Sequence, residues 1–102
     1  MPIQIFFNRY SPENDPLFNE SARKVGMAYI NKRGALLEKH GIKELGSWIV
    51  PIEHLTISVL EAQSLDAFQK LMMEPEYMAL LAYVTEETKV GISAEDAMKM
   101  LK

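Results

Sequence analysis

The sequence predicts an α+β chain in which one four-stranded antiparallel sheet carries its helices on one face, in the order β-α-β-β-α-β with a further helix at the end. Three observations lead there. Four short runs rich in β-branched and aromatic residues alternate with stretches whose apolar residues recur at helical spacing. The second and third runs follow one another across Pro51 as the arms of a hairpin do, which makes that pair antiparallel. The outer runs are each joined to this pair through a helix, and that arrangement is the split βαβ plan, with helices gathered on one side.

Ile3 to Tyr10 reads as the first strand, with Ile3, Ile5 and Phe7 on one side and Gln4, Phe6, Asn8 and Tyr10 on the other. Bulk on both sides predicts a sheet covered on both faces. Ser11-Pro-Glu-Asn-Asp-Pro is a loop leading into a helix, with Asp15 as its cap and Pro16 at its first position, where the missing N–H costs nothing. Phe18, Ala22, Val25, Tyr29 and Ile30 then recur at three- and four-residue steps, and the stripe continues through Leu36 and Leu37 to a stop at Gly41. Gly26 and Gly34 each weaken this helix by ~1 kcal/mol relative to alanine, which predicts a kink or close packing at one of them.

The hairpin has strands near Glu44–Val50 and His54–Glu61, with Pro51-Ile52-Glu53 as its loop. That loop sets Val50 opposite His54 and Trp48 opposite Thr56, so Trp48 and His54 share a face; a loop longer by one residue sends Trp48 to the other side. The shorter loop separates Leu55, Ile57 and Val59, an apolar face for the helices, from a mixed face of His54, Thr56 and Ser58. Ser64 caps a helix with Leu65, Phe68, Leu71 and Met72 as its stripe. Pro75 interrupts it and opens a short helix, to about Ala82, that bears Tyr77, Met78, Leu80 and Leu81. Val84 to Val90 is the last strand, marked as an edge by its charged residues, and Ser93 caps a closing helix that reaches Leu101.

Together these elements form a ferredoxin-like fold over residues 1–102 as a single domain, and a chain of this length buries roughly 65% of its unfolded surface. The sheet face away from the helices would then expose Phe6, Tyr10 and Trp48, an apolar patch that monomers rarely tolerate. A homodimer that packs two such faces together removes the exposure.

With 48% hydrophobic and 25% charged residues the composition is that of a folded globular chain. The net charge is −3 and the Lys and Arg residues are scattered, so a nucleic-acid partner is not expected. No apolar run approaches the ~20 residues that span a bilayer, and Met-Pro-Ile-Gln begins neither a basic nor an apolar leader, so the expectation is a cytoplasmic protein with no membrane partner. The absence of cysteine removes disulfides and thiolate chemistry, and with two histidines a metal site in one chain would lean on carboxylates. No cofactor and no metal are expected. The seven methionines fill irregular gaps or form adaptable surfaces.

Chemistry is to be sought on the mixed face. Histidine changes charge near neutral pH, and His54, on a sheet face, is the candidate general acid or base. The competing reading makes it a hydrogen-bonded structural residue at the start of a strand, because no carboxylate in its own strand sits beside it: Glu61 falls on the opposite face and Glu53 in the turn. Phe6, Asn8, Tyr10, Trp48, Thr56 and Ser58 would complete an aromatic lining with a few polar handles, the mix of a small-molecule pocket. The same residue types are also ordinary dimer-interface material. Tyr77 and Tyr83, flanking the short helix, could reach such a pocket or pack in the core.

The run from Gly46-Ser-Trp through Pro51-Ile-Glu-His-Leu, then Glu61-Ala-Gln-Ser-Leu-Asp-Ala-Phe-Gln-Lys, Met73-Glu-Pro-Glu, Thr85-Glu-Glu-Thr-Lys and Ala94-Glu-Asp-Ala-Met-Lys-Met-Leu resembles small prokaryotic proteins of the dimeric α/β-barrel superfamily. The resemblance implies a homodimer whose two sheets close into one barrel, with a cavity between sheet and helices or inside the barrel. That superfamily includes cofactor-independent monooxygenases, muconolactone isomerase, haem-dependent chlorite dismutase, an iron-bearing sulfur oxygenase reductase and the amino-acid-sensing domains of leucine-responsive regulators, so the fold alone selects no activity. No residues here match the haem or iron ligands of those members.

Two functions remain. One is a sensor-like module holding a small metabolite. The other is a cofactor-independent isomerase or monooxygenase in which His54 moves a proton while Asn8 or Ser58 hydrogen-bonds the developing oxyanion. A metal shared by His54 of two chains is a third, weaker arrangement.

Overall fold

The structure, a computed structural model, describes residues 1–101. Its elements are β1 (Ile3–Tyr10), α1 (Glu20–Lys39), β2 (Lys43–Val50), β3 (Leu55–Glu61), α2 (Leu65–Met72), α3 (Pro75–Leu80), β4 (Val84–Gly91) and α4 (Ala94–Met100), with 3-10 turns at Pro12–Asn14 and Pro51–Glu53. The strands form one four-stranded antiparallel sheet in the order β2-β3-β1-β4. This is the ferredoxin-like arrangement, with β4 at an edge as its charges predict.

The helices cover the face that carries Gln4, Phe6, Asn8 and Tyr10. Phe6 is 2% exposed, and its ring meets Phe68 and Tyr77 edge-on with centroids 6.2 and 6.3 Å apart. Phe68 and Leu71 of α2 and Leu60 of β3 complete the centre of the core. Phe6 pairs with Ser58 and Asn8 with Thr56, so the mixed residues of β3 also lie beneath the helices. The sequence expectation assigned Leu55, Ile57 and Val59 to that side, and the structure reverses it. Ile57 and Val59 join Ile3, Ile5 and Phe7 on the open face, while Phe6 and Tyr10 are not there. Both faces of β1 and β3 are apolar enough to be buried, so alternation within a strand separates the faces without saying which one meets the helices.

The hairpin register follows the longer loop. Val50 pairs with Leu55, Trp48 with Ile57 and Ser47 with Ser58. His54 takes the left-handed conformation (φ 52°, ψ 40°) after the 3-10 turn and donates its N–H to the Pro51 carbonyl at 3.1 Å, so it belongs to the turn rather than to β3. That extra turn residue sets Trp48 beside Ile57 instead of Thr56, and since Ile57 is on the open face Trp48 lies there as expected, its indole over Gly46; a Cβ at Gly46 would collide with the ring.

Helix α1 starts later than its prolines suggest. One turn forms over Asp15 to Asn19, whose N–H reaches the Asp15 carbonyl at 2.9 Å. Asn19 then goes extended and restarts the helix, its side chain accepting from the Ala22 N–H at 2.9 Å. Asp15 therefore does not cap α1; its side chain instead caps the preceding turn, accepting from the Leu17 N–H at 2.9 Å. At the other end Gly41 (φ 66°) stops the helix, with the Ile42 N–H returning to the Leu37 carbonyl at 2.8 Å. Ser93 caps α4, its hydroxyl accepting from the Asp96 N–H at 3.0 Å, whereas the Ser64 side chain makes no cap bond to α2. Among the described residues no helix is long and apolar enough to cross a membrane.

Candidate functional site

A cavity of about 550 Å³ lies between the helix-covered face of the sheet and α1. Its floor is Phe6, Asn8 and Tyr10 of β1, Thr56, Ser58 and Leu60 of β3, and Ser47 and Ile49 of β2. Gly26, Tyr29, Ile30 and Arg33 of α1 form the wall, with Tyr77 and Leu80 of α3 behind them. Asp15, Pro16, Leu17, Pro51 and His54 also line it. Native interiors hold few voids larger than a water molecule, whereas small-molecule sites run from about 300 to 1,000 Å³.

The space arises from the residues of α1. Tyr29, Leu36 and Leu37 bury the helix against the core, but one turn before Tyr29 stands Gly26, where an added Cβ would meet nothing within 4 Å. The helix is continuous through Gly26, so this glycine leaves room instead of making a kink. Gly26, Tyr29, Ile30 and Arg33 are spaced i, i+3, i+4, i+7, a stripe that helical periodicity could have picked out.

At one part of the lining, His54 Nδ1 is 2.7 Å from Asp15 Oδ2. Asp15 is 8% exposed, and its other oxygen accepts from the Leu17 N–H at 2.9 Å. The hydrogen bond from His54, then that from Leu17, holds the Asp15 carboxyl below the usual carboxylate range. Tyr10, also on the floor, has its phenol pushed up by burial and then by the Asp15 charge. Sequence spacing could not show the pair, since the two residues are 39 positions apart on different elements.

Elsewhere in the lining the Tyr77 hydroxyl donates to Glu86 of β4. Burial, then that carboxylate, drives the Tyr77 phenol far above its ordinary value, and burial raises the Glu86 carboxyl. Tyr29 stacks edge-on against Tyr77 at 5.2 Å. Asn8 Oδ1 is buried with no hydrogen-bond partner, an unmet acceptor of the kind that native interiors seldom leave. Arg33 Nη1 is neutralised by Glu44 at 2.5 Å.

Of the residues singled out in the sequence, Phe6, Asn8, Tyr10, His54, Thr56 and Ser58 line this cavity, and Trp48 does not. Trp48 is 56% exposed on the opposite side of the sheet. Tyr77 both packs in the core and lines the cavity, while Tyr83 does not line it. Among the described residues no three or more His, Asp or Glu side chains gather as metal ligands would.

No family model and no curated protein matches the sequence. Solved structures do match in shape. An uncharacterized NIPSNAP domain protein from Burkholderia xenovorans superposes with a TM-score of 0.61 at 10% identity, over 92% of this chain and 95% of that one. A NIPSNAP family protein from Agrobacterium tumefaciens gives 0.62 at 12% identity, over 92% and 93%. SnoaB, a cofactor-independent oxygenase from Streptomyces nogalater, gives 0.60 at 10% identity, over 91% and 92%. At these identities the likeness is one of architecture: the chain shares a ferredoxin-like fold with these NIPSNAP and oxygenase structures.

Proposed function

We propose that the protein is a cytoplasmic homodimer that holds a small, largely apolar metabolite in the cavity beneath α1, in the manner of a sensor. The observation that carries this reading is the cavity of about 550 Å³ with aliphatic and aromatic walls and an unpaired Asn8 carbonyl beside it. Gly26 supports it, because a helix that needed only to pack would be more stable with alanine there. The dimer is supported by the open face of Ile3, Ile5, Phe7, Trp48, Ile57 and Val59. It is supported also by α4, which buries none of its residues against its own chain. The radius of gyration, 14.6 Å, exceeds the about 13 Å of a compact chain of this size, as an arm shaped for a partner would make it.

Thermal shift against a metabolite panel tests the binding. A ligand at 100 times its Kd stabilises the fold by about 2.7 kcal/mol. Gly26→Leu fills the space and is expected to abolish the shift; a hit that binds this variant as tightly as the parent would overturn the assigned cavity. A second reading is a cofactor-independent isomerase or monooxygenase that uses His54 for proton transfer, with Asn8 or Ser58 at the oxyanion. The Asp15–His54 hydrogen bond favours it.

A further inference from the structure

We infer that Asp15 and His54 form a proton-transfer pair, in which Asp15 fixes the imidazole with its proton on Nδ1 and His54 Nε2 removes a proton from a carbon acid bound in the cavity. The inference rests on the cavity and on the second reading of it, that of an enzyme, and adds to that reading the role of Asp15 and a substrate class.

An ionised carboxylate only accepts hydrogen bonds, so the ring nitrogen 2.7 Å from Asp15 must be the one that carries hydrogen. In the neutral ring Nε2 is then the lone-pair nitrogen, and among the described residues it has no hydrogen-bond partner. Asp15 is itself held, by the Leu17 N–H and by its burial, so it acts as a fixed orienting group. The backbone of His54 is held as firmly. Its N–H donates to Pro51, its carbonyl accepts from the Tyr10 N–H at 2.9 Å, and it is the one non-glycine residue with positive φ among those described.

Histidine is among the side chains that this left-handed turn position accepts, and the two backbone hydrogen bonds hold it there. With 28% of its side chain exposed, the imidazole is open to a cavity ligand while its carboxylate partner is shielded.

The step balances without an oxidant. The substrate C–H bond breaks, an N–H bond forms at Nε2, and the electron pair moves onto a carbonyl oxygen or leaves with an electronegative atom. Asp15 stays ionised and offsets the imidazolium charge, a positioning role.

5-Nitrobenzisoxazole is the probe. A base removes its C3 proton, the N–O bond breaks, and the electron pair leaves on oxygen as the coloured 2-cyano-4-nitrophenolate. The wild-type protein is expected to show saturable turnover. His54→Asn, which keeps a residue tolerant of the left-handed turn but removes the base, should lose about 100-fold or more in rate. Asp15→Asn keeps the shape and a hydrogen bond but permits the reversed tautomer, so kcat should fall about tenfold or more with KM unchanged, in a protein that still unfolds cooperatively.

Ring nitrogen shifts should report a bare Nε2 in the wild type and its protonation in Asp15→Asn. Equal rates for wild type and His54→Asn would overturn the pair, and so would an Asp15→Asn variant at full rate, which would reduce Asp15 to a tie between loop and hairpin. Saturable probe binding without turnover overturns the pair and leaves the cavity reading standing. Failure of both binding and turnover overturns both.

Discussion

On the helix-covered face of the sheet, Asn8, Thr56 and Ser58 stand among Phe6 and Leu60; on the other face Ile3, Ile5, Phe7, Ile57 and Val59 adjoin with no hydroxyl or amide side chain between them on β1 and β3. The usual order is inverted, since the face a chain buries for itself is ordinarily the more apolar one. The difference teaches that the two faces answer to different occupants. Polar groups are tolerated beneath the helices because α1 leaves a cavity beside them. The open face has the composition of a core, which the proposed dimer would cover, and Arg9, Glu87 and Lys89 keep charge at its rim.

The contrast breaks hardest at its best-packed point. Phe68 is 0% exposed, so Phe68→Ala should cost about 3–5 kcal/mol in denaturant unfolding. Phe7→Ala on the open face should cost measurably less at concentrations where the protein is monomeric. Next comes the covering of that face. The parent should sediment at twice the 11.6 kDa chain mass at micromolar concentration, while Phe7→Glu and Trp48→Glu should sediment as single chains or aggregate. A soluble native dimer in both variants would place the contact elsewhere. Phe6, fully covered by its own helices, is a folding position and not an interface one.

On the cavity side the effects are smaller and of opposite sign. Gly26→Ala should raise stability by about 0.5–1 kcal/mol, because the added methyl meets nothing and the unfolded chain loses freedom. A loss of stability would mean that the helix needs this glycine for packing. Asp15 supplies the weakest lever. Its carboxyl is depressed in the folded state, so its contribution is complete above the unfolded carboxylate value of about 3.9 and is lost as pH falls through the folded one. Melting temperature should therefore drop on acidification below about pH 4, and less steeply in Asp15→Asn.

Strand and helix order were legible in the sequence because β-branched runs, Pro75, Gly41 and Ser93 are local signals, and each acts in the structure where it stands. The side of the sheet was not. Both faces of β1 and β3 are apolar enough to be buried, so alternation did not say which one meets the helices; the extra loop residue at His54 changed only the β2 register, setting Trp48 beside Ile57 instead of Thr56. Five lining residues, Phe6, Asn8, Tyr10, Thr56 and Ser58, could be named because β1 and β3 are central and their mixed faces adjoin whichever way the helices fall. Asp15 caps only a single turn, because Asn19, four residues later, offers the same chemistry and caps α1 itself. Its meeting with His54 is a product of tertiary folding that no periodicity encodes.

The stacking of the Trp48 indole on Gly46 has a practical consequence. This is the chain's one tryptophan, half out in solvent on the edge strand β2 of the oily surface and on the far side of the sheet from the cavity. Its emission is a built-in gauge of whatever settles on that surface: ligands entering under α1 should leave its colour unchanged, and docking of a second molecule should turn it blue.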